Sequence, residues 1–243
     1  MIVHCGTYNV FGMPWGSKHL RSILIWIFLQ SNADAMCLQE VWSKQQQEEI
    51  QQACRDSKTW TCYFPYSNIH KLGKLTDRFH SGSGLCILVK NTVEVIDELE
   101  AHTYILNKGV DSFVRKGFMI LHCRKEGKDF QIVNTHFQSD LTEFPWWRVR
   151  YNETRLKQEK QLYHVVKNLS CPIVLGDFNT EEFMYFECLE KGHRWTYVGT
   201  GERLDSCLRT YQHKQTFEKE AAMYHYSIRY SDHIPVVFRI RLT

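Results

Sequence analysis

The sequence predicts an α/β fold in which two β-sheets pack face to face and helices cover their outer faces. Many short runs of β-branched and aliphatic residues, bounded by Gly, Pro or Asn, predict strands. Several of these runs follow one another with no helix between them. Only a few segments show helical spacing, so helices can cover the sheets but cannot alternate with every strand.

The composition suits one domain with a large core. The chain has 243 residues, of which 43% are hydrophobic, and this is enough to bury a sizeable core. It contains no internal repeat and no linker rich in Pro, Gly or Ser. We therefore expect residues 1–243 to form a single domain.

The first half of the chain predicts strands and two helices of opposite character. The first helix has apolar residues around most of its circumference and must be buried, whereas the second is rich in Gln and suits a solvent-facing position. The predicted elements are, in order, a strand at 2–11 that ends at Asn9, a helix at 18–29 after an N-cap at Ser17, a strand at 33–38, a helix from Ser43 to about Arg55, a loop at 56–82, and strands at 85–90 and 93–97.

The second half predicts mostly strands. Glu126-Gly127-Lys128 separates two apolar runs and predicts a hairpin turn. Thr180 predicts a helix N-cap, because Glu181 and Glu182 would lie in a first turn, where the helix dipole favours them. The predicted elements are a hairpin of strands at 113–124 and 130–136, a turn-prone stretch at 140–147, a helix at about 153–169, a helix after Thr180, and strands at 204–209, 223–230 and 234–242.

Polar side chains lie at the ends of five predicted strands. Each group alone has an ordinary explanation, such as a turn, a cap or a hydrogen-bonded structural histidine. Together they supply the carboxylates, amides and histidines that metal-assisted phosphoester hydrolysis requires. The five groups are Tyr8-Asn9, Gln39-Glu40, Asn134-Thr135-His136, Gly176-Asp177-Phe178-Asn179 and Ser231-Asp232-His233.

In this order and spacing, these groups resemble the endonuclease/exonuclease/phosphatase superfamily from Tyr8 to Val237. The resemblance implies a four-layer αββα sandwich, two packed mixed sheets with helices outside, and an active site where loops from both sheets meet. Within the superfamily, the chain is most similar to the neutral sphingomyelinases. That similarity lies in Gln39-Glu40-Val41-Trp42, Gly82-Ser83-Gly84-Leu85-Cys86 with Lys90, Lys116-Gly117-Phe118, Thr135-His136-Phe137-Gln138 and Arg155-x-x-Gln158.

The resemblance and the chemistry of the residues together predict a metal site and a general base. Mg²⁺ prefers oxygen ligands and needs only one or two carboxylates, so Glu40 with the Asn9 amide is the predicted site, and Mn²⁺ would suit the same ligands. The family equivalent of His233 is the general base that activates water. Asp205 is the predicted partner that orients His233, although Ser206-Cys207 follows it where an aromatic residue is common in the family.

The remaining predicted site residues contact the phosphate or the water. Asp177 and Asn179 would position both, with Asp232 beside them. His136 would donate to a non-bridging oxygen and stabilise charge in the transition state, but the sequence offers no clear carboxylate partner for it. Lys116 would add positive charge near the phosphate, unless it is an ordinary solvated lysine on a strand.

Two clusters bear on the substrate. Trp146 and Trp147, in a loop beside Arg148 and Arg150, suit a membrane–water interface and predict a phospholipid substrate, unless both rings pack as core. The alternative substrate is a nucleic acid, and the net charge of +3 argues only weakly against it. The residues that would contact nucleic acid are Lys71, Lys74, Arg78 and His80, with Tyr63, Phe64 and Tyr66 nearby.

Cysteine usage and hydropathy bear on the location of the protein. Nine cysteines, with no Cys-x-x-Cys pair, predict reduced thiols and a cytoplasmic environment. The most apolar run, 23–29, is far shorter than the ~20 residues of a membrane-spanning helix, so we expect any membrane association to be peripheral. We expect no secretory signal, because no basic leader is present. Nothing indicates an obligate protein partner, and a catalytically inactive binding module is disfavoured because every required motif is present.

Overall fold

In the computed structural model, the described residues are 1–10, 19–65, 83–109, 111–144, 147–189, 196–197, 201–213, 217–218, 223–225 and 231–242. Their elements, in chain order, are β1 (Ile2–Asn9), α1 (Leu20–Gln30), β2 (Ala35–Gln39), α2 (Lys44–Ser57), β3 (Trp60–Tyr63), β4 (Cys86–Lys90), β5 (Glu94–Val95), β6 (Glu100–Thr103), α3 (Asp111–Val114), β7 (Gly117–Lys125), β8 (Lys128–His136), β9 (Leu141–Phe144), β10 (Trp147–Val149), α4 (Asn152–Val166), β11 (Pro172–Asp177), β12 (Phe186–Cys188), β13 (Asp205–Thr210), a 3-10 turn (Tyr211–His213), β14 (Phe217–Glu218), β15 (Met223–His225) and β16 (Val236–Leu242).

Two mixed sheets of seven described strands each form the centre of the fold. The first sheet has the order β14-β16-β1-β2-β4-β3, with β15 also paired to β16, and the second has the order β12-β13-β11-β8-β7-β5, with β6 also paired to β7. Each sheet contains one parallel pair, β1 with β2 in the first and β8 with β11 in the second. The other pairs in the described sheets are antiparallel. A separate two-stranded ribbon joins β9 and β10.

Three apolar layers confirm the predicted four-layer sandwich. The central layer packs the inner faces of the two sheets together. A second layer packs α1 and α2 on the outer face of the first sheet. A third layer packs α4 on the outer face of the second sheet.

Strand β2 shows how the sequence produces this layering. All five of its residues are buried, and successive side chains of a strand point to opposite faces. Ala35 and Cys37 accordingly lie in the central layer, whereas Met36 and Leu38 pack against the helices. A strand that is covered on both faces therefore has an almost continuous apolar run, as β2 has.

The predicted helix cap at Ser43 is confirmed, and most of the cysteines are buried, as predicted. Ser43 caps α2 through a capping box, because its hydroxyl accepts from the backbone N–H of Gln46 and the Gln46 side chain bonds back to the cap. All nine cysteines are free thiols. Burial raises the pKa of Cys5 and Cys37 in the central layer well above the ordinary thiol value, which keeps them protonated.

The predicted helix after Thr180 is wrong. The Thr180 hydroxyl accepts from the backbone N–H of Glu182 at 3.2 Å, a local turn rather than a helix cap. The buried Glu159 carboxylate accepts from the backbone N–H groups of Met184 and Tyr185 at 2.9 and 2.7 Å. Those donors are therefore taken by a side chain of α4, and the chain continues extended into β12.

Several other boundaries differ from the prediction. The strand predicted from residue 113 begins at Gly117, because a short helix α3 and a left-handed residue, Arg115 (φ 48°), precede it. Strand β3 lies in the predicted loop 56–82, and the β9–β10 ribbon lies in the predicted turn. Ser17 lies outside the described residues. In the part of the chain that is described, no helix is both long and apolar enough to cross a bilayer.

Candidate active site

The predicted site residues meet at one edge of the sandwich because of strand direction. The parallel pairs β1 with β2 and β8 with β11 end at this edge, and the antiparallel strands β13 and β16 begin there. In the second sheet His136, Asp177 and Asp205 are direct neighbours in register. One histidine and two aspartates are therefore cross-strand neighbours on β8, β11 and β13.

His233 and Asp205 form the shortest polar contact in this group. His233 Nδ1 lies 2.6 Å from Asp205 Oδ2, as expected for an Nδ1–H that donates to a carboxylate. Both residues are almost fully buried, at 5% and 0% exposure. Backbone bonds hold the pair in place, since Thr196 accepts from the Asp205 N–H through Oγ1 and from Ile234 through its carbonyl.

The surroundings of His233 favour its protonated form. Burial alone would lower its pKa, but attraction to Asp205 and Asp177 outweighs burial and raises the pKa to about 10. The Nε2 atom lies 3.7 Å from Asp177 Oδ2. The Tyr197 ring packs beside the imidazole, with ring centres 5.1 Å apart, and helps to shield it from solvent.

Asn9 links the two sheets within the site. Its Nδ2 donates to Asp177 Oδ2 of the second sheet at 2.9 Å and to Glu40 Oε1 of the first sheet at 3.2 Å. Two carboxylates therefore share one amide group. Burial, the largest cause, raises the pKa of Asp177 to about 6 and also raises the pKa of Glu40 above its ordinary value.

Glu40 has the features of a ligand for a hard cation. It directly follows β2 in a left-handed backbone conformation, with φ of 64°, which is uncommon for a residue other than glycine. Among the described residues, no Lys or Arg nitrogen lies within the ion-pair distance of 4.0 Å from its carboxylate. A half-buried carboxylate without a paired Lys or Arg, next to the Asn9 amide group that also bonds Asp177, fits a divalent cation such as Mg²⁺ or Mn²⁺. The predicted metal-site residues Glu40 and Asn9 are thus adjacent.

A buried lysine holds His136. Lys116 Nζ lies 2.9 Å from Asp111 Oδ2, 3.0 Å from His136 Nε2 and 2.9 Å from the Phe137 carbonyl oxygen, so all three ammonium hydrogens have an acceptor. Burial and the Lys116 charge lower the pKa of His136 well below the ordinary value. A neutral imidazole that accepts at Nε2 carries its hydrogen on Nδ1, and the buried His136 Nδ1 has no partner among the described residues.

His136 also has the carboxylate neighbour that was not evident from sequence. Asp177 Oδ2 lies 3.4 Å from His136 Nε2, and Asp111 reaches the same nitrogen through Lys116. Asp111 is a member of this cluster that the sequence analysis did not identify. Its only signal was a carboxylate five positions before Lys116, which a short helix places beside the start of β7.

Hydrogen bonds connect Asn179 and the turn that contains Asp232 to the central group. Asn179 is also left-handed, with φ of 51°, and its backbone N–H donates to Asp177 Oδ1 at 3.0 Å while its Nδ2 donates to the Phe137 carbonyl at 3.1 Å. Asp232 accepts from the Ser231 hydroxyl at 3.3 Å. The same hydroxyl lies 2.7 Å from the Asn9 carbonyl, so the turn before His233 is joined to the end of β1.

A second polar connection lies directly below the site. Asn134 of the second sheet donates to the Leu38 and Cys86 carbonyls of the first sheet at 2.9 and 2.8 Å, and its Oδ1 accepts from Gln39 at 2.8 Å. Both Asn134 and Gln39 are fully buried. Because buried polar groups are costly without partners, this network fixes the alignment of the two sheets and of the two rows of site residues.

The structure does not describe the side chains of the two tryptophans predicted to contact the substrate outside this centre. Trp146 is not described, and nothing is described of the side chain of Trp147. The basic residues of the nucleic-acid alternative, Lys71, Lys74, Arg78 and His80, fall in the undescribed segment 66–82. Both predictions about the substrate therefore stay predictions.

Several solved structures share this fold over the whole chain. Sphingomyelinase C from Streptomyces griseocarneus has a TM-score of 0.71 and 19% identity, with 99% of this chain and 100% of that chain covered. Beta toxin from Staphylococcus aureus, with bound magnesium ions, has a TM-score of 0.74 and 18% identity over the same shares. D. rerio TDP2 with a single-strand DNA product has a TM-score of 0.67 and 14% identity, with 99% of both chains covered.

These identities are low enough that the likeness of the structures shows the fold alone. No curated protein matches the sequence. The model of the Endonuclease/Exonuclease/phosphatase family matches residues 6–233, which is nearly the whole chain and includes the site residues from Asn9 to His233. The chain therefore belongs to the endonuclease/exonuclease/phosphatase family.

Proposed function

We propose that this protein is a sphingomyelinase-like phosphodiesterase that hydrolyses sphingomyelin to ceramide and phosphocholine. Members of its family are metal-dependent phosphodiester hydrolases. The observation that carries the proposal is the His233–Asp205 contact of 2.6 Å directly beside Asp177, which Asn9 joins to Glu40. A candidate general base, its orienting carboxylate and a candidate metal ligand thus converge in one site.

Glu40, with Asn9 and Asp177 beside it, would hold the divalent cation. When bound, the cation would supply positive charge that stabilises the phosphoryl oxygens and the leaving oxygen. Asp177, Asp205 and His233 also have ligand atoms within 4.8 Å of one another. We assign that cluster to proton transfer, because the 2.6 Å contact between His233 Nδ1 and Asp205 Oδ2 is the arrangement of a histidine base and its orienting carboxylate.

The proton chemistry follows from the contacts of His233. Asp205 holds the Nδ1 hydrogen, and the positive charge of a cation held by Glu40 and Asp177 would lower the pKa of His233, so that Nε2 is free to take a proton from the attacking water. Asp205 and Asp177 then stabilise the imidazolium that forms, in agreement with their effect on the pKa of His233. Asp177 and Asn179 would orient the water and the phosphate, and Asp232 adds negative charge beside His233.

His136 and Lys116 act on the phosphate in this proposal. His136 is neutral and carries its hydrogen on the buried Nδ1, which has no partner among the described residues, so donation to a non-bridging phosphoryl oxygen would need the ring to turn this atom toward the substrate. Lys116 donates to His136 Nε2 and so holds the imidazole in the tautomer that carries this hydrogen. The positive charge of Lys116 also favours an anionic substrate beside it.

The substrate class is supported by the sphingomyelinase-like motifs and by fold similarity to sphingomyelinase C and beta toxin. A nuclease is the second candidate, because the TDP2 structure with its single-strand DNA product has a similar fold. We place the protein in the cytoplasm and peripherally on membranes, where Trp146 and Trp147 would enter the interface.

One assay separates the two substrates. The protein is incubated with sphingomyelin vesicles or with a supercoiled plasmid, each with Mg²⁺ and with excess EDTA. We expect release of phosphocholine that needs the metal and little nicking. Nicking without release of phosphocholine would replace the sphingomyelinase proposal with the nuclease.

A further inference from the structure

A groove runs away from the candidate site between the first turns of α4 and the segment 180–184. It has an inner part of about 210 Å³ next to Asn179 and an outer part of about 450 Å³. The two parts form one continuous groove, which we call the α4 groove, because four residues line both of them. These shared residues are Asn152, Arg155, Thr180 and Glu182.

The α4 groove is continuous with the site. Asn179 bonds Asp177 through its backbone N–H and also lines the inner part. Phe137 directly follows His136, its carbonyl accepts from Asn179 and Lys116, and the residue also lines the outer part. A substrate whose phosphate lies at Asp177 would therefore enter the groove past Asn179.

The outer part presents apolar side chains to solvent. Leu156 is 37% exposed and Met184 is 62% exposed, which places them among the few exposed large hydrophobic residues of the described chain. Phe137 and Phe183 line the same part, and Phe183 packs edge-on against Phe178 at 5.2 Å. Apolar residues that line a groove next to a reactive centre favour an apolar ligand.

Arg155 adds a buried hydrogen-bond donor to both parts. It is only 5% exposed, and its terminal nitrogens donate to Asp140, to Asn152 and to the Gln138 carbonyl. Its Nε–H, however, has no partner among the described residues. A buried donor without a partner is costly, so an acceptor from a ligand would stabilise this wall of the groove.

The charge of the inner part disfavours a polyanion. Four carboxylates line it, against the guanidinium groups of Arg150 and Arg155, which leaves a net negative lining. A nucleic-acid strand that continued from the site would bring further phosphates against these carboxylates. A neutral chain avoids that repulsion.

We infer that the α4 groove binds the lipid portion of a phospholipid substrate. The first part of one alkyl chain lies along Leu156 and Met184, and the end next to the phosphate lies against the polar wall that Asn152 and Arg155 form. This inference rests on the proposed phospholipid phosphodiesterase activity. It adds a binding site for the lipid portion of the substrate, through which the enzyme would distinguish substrates with different chains.

The test compares substrates with the same phosphocholine group but different chains. Nitrophenyl phosphorylcholine has no alkyl chain, and short-chain sphingomyelins provide a series of increasing length at concentrations below micelle formation. We expect kcat/KM to rise about fourfold for each of the first added methylenes, as expected for roughly 0.8 kcal/mol per buried methylene, and then to level off. Because these substrates are monomeric, binding to a membrane surface does not contribute.

The double variant Leu156→Gln with Met184→Gln makes the wall of the groove polar. The control variant is Leu29→Gln. Leu29 is 78% exposed on α1, which covers the other sheet. In the double variant, the ratio of kcat/KM for the longest monomeric sphingomyelin to that for nitrophenyl phosphorylcholine should fall at least tenfold. In the control this ratio should stay within twofold of the wild type. Binding of a fluorescent short-chain ceramide in EDTA should weaken in the double variant alone.

The outcomes separate the inference from the proposed function. If both choline substrates are hydrolysed with no dependence on chain length, or if the double variant keeps the wild-type ratio, the α4 groove does not bind the chain and the inference fails alone. If neither substrate is hydrolysed, the proposed function and the inference fail together.

Discussion

The two sheets contribute unequal halves to the candidate site. The second-sheet half consists of His136, Asp177, Asp205 and Lys116, each at most 2% exposed and each bonded to another member or to Asp111 or His233. The first-sheet half consists of Asn9 and Glu40. It is joined to the second-sheet half by the Asn9 amide, and no Lys or Arg of the described chain pairs with Glu40.

The difference indicates separate tasks for the two halves. A set of buried donors and acceptors that bond one another holds hydrogens at defined atoms, which suits proton transfer and charge stabilisation. A carboxylate whose pKa burial raises, as for Glu40, is stabilised by a cation that compensates its charge. We therefore expect substitutions in the second-sheet half to reduce stability or turnover, and substitutions in the first-sheet half to reduce the affinity for metal.

The largest effect on stability is expected for Lys116→Met. The substitution leaves Asp111, only 5% exposed, as a buried charge without its ammonium partner. Removing one partner of a buried ion pair typically costs about 3–5 kcal/mol, and we expect a loss of that size in the free energy of unfolding, measured by denaturant titration.

The double variant Lys116→Met with Asp111→Asn is the control, since removing both charges avoids the uncompensated one. It should recover part of the loss. If the free energy of unfolding of Lys116→Met alone lies within about 1 kcal/mol of the wild-type value, the second-sheet half does not depend on this ion pair.

The next effect is on turnover and concerns His233, which lies between the two halves. His233→Ala removes the candidate base, so kcat should fall by at least ~10²-fold, measured as release of phosphocholine. The exposed His164 on α4 is the matched control, and His164→Ala should keep kcat within about twofold. Activity of His233→Ala near that of the wild type would remove this residue from the mechanism.

Much of the site was predictable because it lies at strand ends. Asp177 follows an apolar run, and the register then places it beside His136 and Asp205. Period-two burial and glycine or proline boundaries locate such strands in a sequence, and strand direction brings their ends to one edge. The order of the five polar groups along the chain therefore indicated the site before any contact was known.

The parts that were not predictable depend on contacts between distant segments. Asp111 acts on His136 only through Lys116. Thr180 has the local pattern of a helix cap, but Glu159 on α4 bonds the following backbone and keeps it extended. The α4 groove likewise exists only because α4 packs beside this segment. Tertiary contacts of this kind override local propensity.

A smaller effect, on metal requirement, is expected for Glu40→Gln. The amide keeps the shape and the bond to Asn9 but loses the charge that would hold the cation. The Mg²⁺ concentration for half-maximal activity should rise at least ~10-fold, while the free energy of unfolding in EDTA should not fall. Glu48→Gln, at an exposed position of α2, is the matched control. An unchanged metal requirement would move the metal site away from the first-sheet half.

The smallest effect concerns the pH dependence of the free energy of unfolding in EDTA. It is measured for Glu40→Gln and for the wild type. The folded-state pKa of Glu40 is raised above 4.5 by burial, so the folded chain binds more protons than the unfolded chain between 4.5 and that raised pKa. This group therefore lowers the free energy of unfolding as pH rises through the window, by at most about 1.4 kcal/mol per pH unit.

Glu40→Gln lacks the group but keeps Asp177, whose pKa is raised to about 6. The stability of Glu40→Gln relative to the wild type should therefore increase with pH and then level off, and saturating Mg²⁺ should reduce or reverse the difference. If the difference in stability between Glu40→Gln and the wild type does not change with pH in EDTA, burial does not destabilise the Glu40 carboxylate. The first-sheet half would then not need a cation to compensate that charge.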